Sequence, residues 1–575
     1  MAMLVAATSL TVLGSSGAVI VLVGGTLIDG TGRPPLRDAV IVIEDGRIRE
    51  VFRQSTAAPV PPGAITISAE GKFVIPGLAD AHVHYAGWMP ELYLHYGVTT
   101  ALVPNRGESA WLQAQRSGMW KSKIPGPRLL LFGTGGGATP PEFPIGTDRP
   151  VTSEEQARAL VRAAASRQVD GIKIHVAIGE DLLRAFVDEA SKEELPVLGH
   201  LGKVDAREAA LAGISGIAHM SGIATAMMTS ADLATAASWR SVYARFQVMD
   251  PRYFRGPDPR HVMLFALRRK ELQAQLIKTL VNRNVYVDCD LVHVARGATE
   301  RRDAYLLEDY RLLSDPQLDY IPQEFRIKQQ LDDSMFERLT EEETKRLRLG
   351  YRNMQEFIRE FVRAGGRILA GTDAGSVASM PGVSMHRNLE LLVDAGLEPL
   401  EALTAATRNV AAFAGRGWEA RIGTLEPGKL ADLIVLDANP LAAISNTRTI
   451  RLVMQEGRVV ERSFHAGFRN PLLDPRALSK DARANPEPAV RSIHPDLVTQ
   501  GDVGFRLRVR GAHFVETSLV RLDGDALPTD FVSENELLAQ VATERTTEAA
   551  TRLVTVYTPQ GGGESTPTAL IIQFK

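Results

Sequence analysis

Apolar runs of strand length recur at residues 72–84, 98–103, 128–132, 171–176, 196–200, 216–219, 285–289 and 367–373, and the segments between them carry apolar positions at helical spacing. Such runs, bounded by glycine or proline, read as strands covered on both faces, as a parallel sheet requires. Eight of them alternating with helices predict an α/β fold, a (β/α)8 barrel over residues 71–414.

The flanks have a different texture. Residues 19–70 are short strands, at 19–23 and 39–43, broken by Gly30-Thr31-Gly32 and Asp45-Gly46-Arg47. The same texture returns over 422–464, where Gly423 to Lys429 leads into the apolar run 431–436. A small β domain built from 19–70 plus 415–465, both ends of the catalytic segment, is therefore expected. Within the barrel, 221–284 and 294–366 are longer than ordinary connections, and long excursions commonly roof a site or make subunit contacts. Thr340-Glu341-Glu342-Glu343 reads as a capping box opening a charged helix through Phe361.

Residues 466–487, rich in Pro, Ala and Arg, read as a linker. Beyond it the period becomes two, with Arg506, Arg508 and Arg510 alternating with apolar residues and further strands near 519–523, 537–541, 552–557 and 568–574. The arginine row reads as a solvated sheet face.

Length and composition narrow the classes. A chain of 575 residues is too long for one core. A net charge of −3 without long single-sign runs excludes a nucleic-acid surface or a polybasic membrane patch, and no membrane insertion is expected. Cys289 is the only cysteine, so neither an intrachain disulfide nor a cysteine-based zinc site is available. Residues 1–18 read as a leader: the apolar stretch 3–13 before Ser16-Gly17-Ala18 resembles a signal segment, but it lacks the usual opening Lys or Arg.

The candidate chemistry lies at the ends of the apolar runs. His82 and His84, at i and i+2 of a strand, project from one face and can reach one ion. Lys173, His200, His219 and Asp373 follow at the ends of later runs, where such barrels carry their active sites. Four of the twelve histidines are thus at strand ends, and a metal-dependent hydrolase is the chemistry they fit. A lysine among metal ligands is out of place as a cation, because like charges repel. Its bland alternative is pairing with a carboxylate at the barrel mouth, which leaves a one-metal site.

Over roughly residues 19–465 the chain resembles the amidohydrolase superfamily, on the segments Pro76 to His84, Gly97-Val98-Thr99-Thr100, Gly371-Thr372-Asp373-Ala374-Gly375 and Gly423 to Asp437. Asp170-Gly171-Ile172-Lys173-Ile174 and the 390–407 segment resemble its prolidase-like branch of dipeptide and N-acyl-amino-acid hydrolases. The resemblance implies two divalent metal ions, zinc by default with manganese as an alternative. One is held by His82, His84 and Asp373, the other by His200 and His219, with Lys173 as a bridging N6-carboxylysine. It further implies a metal-bridging hydroxide as nucleophile, Asp373 as general base and acid, a small-molecule substrate and a homo-oligomer. Cyclic amide or imidazolone hydrolysis and deamination with one metal, lactone or phosphotriester hydrolysis, and a retired barrel serving a binding protein are the alternatives.

Tyr85, Arg106, His175 and His386 are candidate substrate contacts from their places after strands. Asp288 and Asp290 share a face and could enter the pocket, whereas His95, His261, His293 and His465 read as structural. Residues 488–575 resemble an IPT/TIG module, an immunoglobulin-like β-sandwich, on Ile493-His494-Pro495, the 509–515 and 520–524 segments, Glu536-Leu537, and 554–559 followed by 561–565. That resemblance favours export, to the periplasm or outside the cell.

Overall fold

The computed structural model describes residues 19–54, 61–104, 106–134, 151–239, 250–254, 258–294, 296–323, 325–326, 336–375, 379–472, 487–558 and 563–575. The expected leader and most of the expected linker lie outside the described residues. The chain divides into two compact units, one through Leu472 and one from Leu473 onward.

In the first unit, eight parallel strands follow one another in chain order around one sheet: β1 (Leu78–Asp80), β2 (Val98–Val103), β3 (Arg128–Thr134), β4 (Gly171–Ile174), β5 (Val197–Gly199), β6 (Gly216–Ile217), β7 (Tyr286–Asp288) and β8 (Arg367–Leu369). The Ala81 amide donates to the Ala370 carbonyl at 3.0 Å and that of His84 to Ala374 at 2.8 Å, so the two edges of the sheet meet. Every expected barrel strand is present.

The first of them differs from expectation. The run 72–84 does not form one strand but breaks at Gly77. Phe73–Pro76 joins the small sheet, antiparallel to Leu433–Leu436, and β1 starts afresh at Leu78. A Cβ on Gly77 would lie 2.2 Å from Thr99 Oγ1, so the crossing needs glycine. The small sheet also has strands Ile20–Leu27, Leu36–Glu44 and Arg47–Arg53 from one end of the segment and Ile450–Gln455 and Arg458–Val459 from the other.

Polar side chains lock the catalytic ends of the strands. Asp80 accepts from the Thr372 amide at 3.0 Å and from its hydroxyl at 2.6 Å, tying β1 to the segment after β8. Asn388, on the helix Val383–Asp394, donates to the carbonyls of Cys289 (3.0 Å) and Gly371 (2.8 Å), tying β7 to β8. Among the excursions, Thr340 caps the helix Glu341–Arg363 in the expected capping box. Within the expected linker, Asn470 is buried and exchanges hydrogen bonds of 2.9 Å with Gln115.

The second unit holds a four-stranded and a six-stranded sheet that share one apolar core, with Leu507, Val509, Leu537 and Val541 from one and Val520, Val554, Val556 and Leu570 from the other. Arg506, Arg508 and Arg510 are exposed and pair with Asp530 or Glu536 on other strands of the same sheet at 3.1–3.3 Å, as a solvated face requires.

Candidate metal centre

His82 and His84 lie just beyond β1, their rings 5.8 Å apart. His82 is buried, and His84 stands at the mouth with 40 % of its side chain exposed. Lys173 lies within β4, its neighbour in register on β5 being Leu198. His200 follows β5 directly, while His219 and Asp373 sit past their strands with φ of 56° and 52°. A left-handed backbone is uncommon for residues other than glycine, and its presence at two candidate ligands marks a chain bent to aim a side chain.

These groups converge. Asp373 Oδ1 lies 2.9 Å from His84 Nε2 and 3.8 Å from His82 Nε2. The His219 ring centroid is 4.2 Å from that of His82 and 4.8 Å from that of His200. Three overlapping groups could hold a metal: His82, His84 and Asp373; His82, His219 and Asp288; His219, Asp290 and Asp373. Of the six expected residues, His82, His84, His219 and Asp373 fall in these groups together with Asp288 and Asp290, and His200 lies against His219, whereas Lys173 is in none of the groups.

The roles of these two aspartates depend on tautomers. Asp288 Oδ2 lies 2.9 Å from His82 Nδ1, and Asp290 Oδ2 lies 2.6 Å from His219 Nδ1. When ionised, as it would be beside bound cations, each carboxylate accepts, so its ring carries the proton on Nδ1 and turns the Nε2 lone pair inward, as metal-bound histidines do. The other oxygens of both aspartates are buried with no hydrogen-bond partner among the described residues. Burial, followed by the charge of Asp290, pushes Asp288 well above the usual carboxylate range; burial does the same to Asp290. Burial also raises Asp373, but His293, His84 and His219 outweigh it and hold that carboxyl well below its usual range.

Lys173 is 2 % exposed, and its Nζ has no hydrogen-bond partner among the described residues. Burial brings it down to about 8, against the opposing charges of Asp288, Asp373 and Asp290. A set of buried imidazoles and carboxylates with unsatisfied oxygens is costly unless cations enter, so the donor set fits divalent metal.

His293 was expected to be structural and is not remote from the site. Its Nε2 lies 3.2 Å from Asp373 Oδ2, the oxygen turned away from His84. It lies on a short helix, Leu291–Val294, past β7, where strand periodicity gives no guidance. The His261 ring lies between the carbonyls of Phe254 and His219, each at 3.1 Å, and so braces the bent His219 backbone.

The proposed substrate contacts divide. His175 lies beside the centre, 6.4 Å from His200 between centroids, and Arg106 is exposed past β2. Tyr85 is buried against Trp111 and its hydroxyl donates to Gln115 at 3.3 Å, which makes it a support for the docked 470–472 segment instead of a contact. His386 is fully buried in the Val383–Asp394 helix, between Thr447 Oγ1 at 2.9 Å and the Tyr96 carbonyl at 3.0 Å, with no ring nitrogen left for substrate. Helical winding after β8 carries it away from the mouth.

Residues 97–460 match the model of the amidohydrolase family, and the chain belongs to that family. It is a metal-dependent hydrolase. A curated relative, imidazolonepropionase of Geobacillus sp. (strain WCH70), is 37 % identical over 112 residues, which cover 18 % of this chain and 25 % of that one. The chain therefore matches about a quarter of the length of that relative. Among solved structures, a putative prolidase from Bifidobacterium longum superposes with a TM-score of 0.53 at 24 % identity, over 79 % of this chain and 97 % of that one. A Xaa-Pro dipeptidase with methionine bound in its active site gives a TM-score of 0.53 at 19 % identity, over 77 % and 100 %. At such identities the likeness is one of fold.

Proposed function

We propose that the protein is a binuclear metal hydrolase that cuts an amide-type C–N bond in a small substrate, a dipeptide (Xaa-Pro included) or an N-acyl amino acid. The observation that carries this reading is Lys173, buried on β4 among three carboxylates with its Nζ lacking a hydrogen-bond partner among the described residues. A lysine brought down to about 8 is a fair nucleophile as its neutral amine. Addition of that amine to CO2 with loss of one proton gives an anionic carbamate, which supplies a bridging ligand. His82, His84 and Asp373 would then hold one ion and His200 and His219 the other, zinc by default.

Two bound divalent ions supply Lewis acidity toward the substrate carbonyl and a water-derived nucleophile near neutral pH. The chain supplies the proton traffic. Asp373 accepts the proton that the attacking water loses and delivers it to the departing nitrogen. His293, at the outer oxygen of Asp373, fixes the rotation of that carboxylate. His175 and Arg106 stand on the loops where a substrate would be held. Residues 488–575 are read as an IPT/TIG-like module outside the chemistry.

The short match to imidazolonepropionase favours a second reading, hydrolysis of a cyclic amide with one metal. Elemental analysis of protein grown with added bicarbonate, beside Lys173→Ala, separates the two. Two ions per chain, falling when Lys173 is lost, support the bridged site and direct screening to dipeptides and N-acyl amino acids. One ion, unchanged by the substitution, sinks it and brings cyclic amides forward.

A further inference from the structure

A cavity of about 610 Å³ lies at the other end of the barrel from the histidines. Its inner wall includes Arg128 and Leu129, the first residues of β3, so it sits where strands begin and the candidate ligands sit where they end. The volume lies within the range typical of small-molecule sites, roughly 300–1,000 Å³. Met119, Ile124, Leu129 and Val459 give it an apolar wall.

Its polar content is unbalanced. Arg128 is spent on Asp432 and, at 2.7 Å, on Glu456; Arg116 is spent on Asp170 at 3.2 Å. Glu461 stands exposed at the rim and accepts from the Ser463 amide at 2.8 Å. Arg458, also on the wall, bonds to Ser122 Oγ and pairs with no carboxylate among the described residues; what sets Arg421 apart is the closeness of two indoles. The Arg421 guanidinium lies 4.2 Å from the centroid of Trp418 and 5.0 Å from that of Trp120, and among the described residues no carboxylate pairs with it. The Trp418 ring is pinned, because its Nε1–H donates to Asp170 Oδ1 at 2.7 Å. Burial, then repulsion from Arg128 and Arg47, lowers the affinity of Arg421 for its proton, which is the mark of a cation short of counter-charge. The two indoles, at 74° to each other, flank the guanidinium and leave its N–H groups to make hydrogen bonds elsewhere.

We propose that this cavity is a binding site for a small organic carboxylate with a flat apolar body. The carboxylate takes the free edge of Arg421 in a two-pronged hydrogen bond, the geometry a guanidinium fork matches best. The body lies along Met119, Ile124 and Val459 with the half-exposed Trp120 ring over it. Arg116 and Arg128 already have carboxylate partners, so the acid's charge falls to Arg421, with Arg458 beside it. A neutral molecule of the same shape would cover the half-buried cation without pairing it and so binds worse.

The test uses isothermal titration of the metal-loaded full-length chain with 3-phenylpropionate, and with 3-phenylpropan-1-ol as its uncharged counterpart. Saturable binding of the acid is expected, with the alcohol at least ~10-fold weaker, about the worth of one charge-assisted hydrogen bond. Arg421→Gln should weaken the acid by a similar factor and Arg421→Lys by less. Asp373→Asn, at the opposite end of the barrel, should bind as the native chain does. Equal affinity for acid and alcohol overturns the proposal, as does full binding by a folded Arg421→Gln chain. Loss of binding in Asp373→Asn would place the acid at the barrel mouth and overturn it too. Because the acid–alcohol comparison needs no variant, the outcome stands even where Arg421→Gln does not fold.

Discussion

Asp288 Oδ2 lies 2.9 Å from His82 Nδ1, and that contact decides which nitrogen His82 turns toward the centre. With the proton held on Nδ1, the inward Nε2 is a lone pair ready for a cation. Asp288→Asn keeps the shape but can present an amide N–H to the ring, which favours the wrong tautomer. Metal affinity is expected to fall by roughly 10–100-fold, the usual effect of losing such an outer partner. Competition with a chelator of known affinity measures it. An unchanged affinity would show that packing alone aims His82.

Gly77 predicts a steric result. The Cβ of Gly77→Ala would lie 2.2 Å from Thr99 Oγ1 and 2.8 Å from its Cγ2, at the crossing from small sheet to barrel. Overpacking of this kind costs about 1–3 kcal/mol. Trp88, Trp111, Trp120, Trp239 and Trp418, all five tryptophans, lie in the first unit, so their fluorescence reports its unfolding midpoint alone. The midpoint should drop for Gly77→Ala and recover in part when Thr99→Ala is added. Absence of any recovery would mean that the strand break has another cause.

His386 predicts a pH dependence. It is fully buried, and burial, aided by Arg448, holds its pKa down to about 3 against an ordinary 6.5. Its Nε2 lies 3.0 Å from the Tyr96 carbonyl, which can only accept, and its Nδ1 lies 2.9 Å from the Thr447 hydroxyl, itself 2.8 Å from the Ile444 carbonyl, so the ring sits between two polar partners. Between pH 6.5 and about 3 the unfolded chain binds a proton that the folded one refuses. Stability from this residue is therefore full above 6.5 and is lost as pH falls toward 3, by up to about 5 kcal/mol. The fluorescence-detected urea midpoint of His386→Gln should fall less steeply over that interval than the native one. Parallel slopes would show that acid acts elsewhere.

Much of this architecture is legible in the sequence because it is periodic. Eight apolar runs map onto eight barrel strands, and the i, i+2 spacing of His82 and His84 already places two rings at one point. Legibility stops where position depends on backbone bends. His293 sits on a four-residue helix past its strand, and no periodicity says that its Nε2 ends 3.2 Å from Asp373. His386 errs the other way: closeness to Asp373 in sequence suggests the mouth, but helical winding carries it into the core. Gly77 is visible as a glycine, yet the reason for it, Thr99 on the next strand, exists only in three dimensions.

Thr340 and Gly350 separate what starts a helix from what holds it. Thr340 Oγ1 accepts from the Glu343 amide at 3.2 Å while Glu343 accepts from the Thr340 amide at 2.8 Å, so the cap of Glu341–Arg363 is complete. The helix itself is held by a buried stripe, Leu347, Tyr351, Met354, Phe357, Ile358 and Phe361, at the spacing of one face. Gly350 lies in that stripe, and a Cβ there would come 2.1 Å from the Val262 carbonyl oxygen. Thr340→Ala should cost about 1 kcal/mol and show faster amide exchange confined to the first turn. Gly350→Ala should cost more, about 1–3 kcal/mol, with exchange raised in Pro259–Leu264 as well, because backbone must move to admit the methyl group. The reverse order of costs would mean that the helix depends on its cap and not on its contact with Pro259–Leu264.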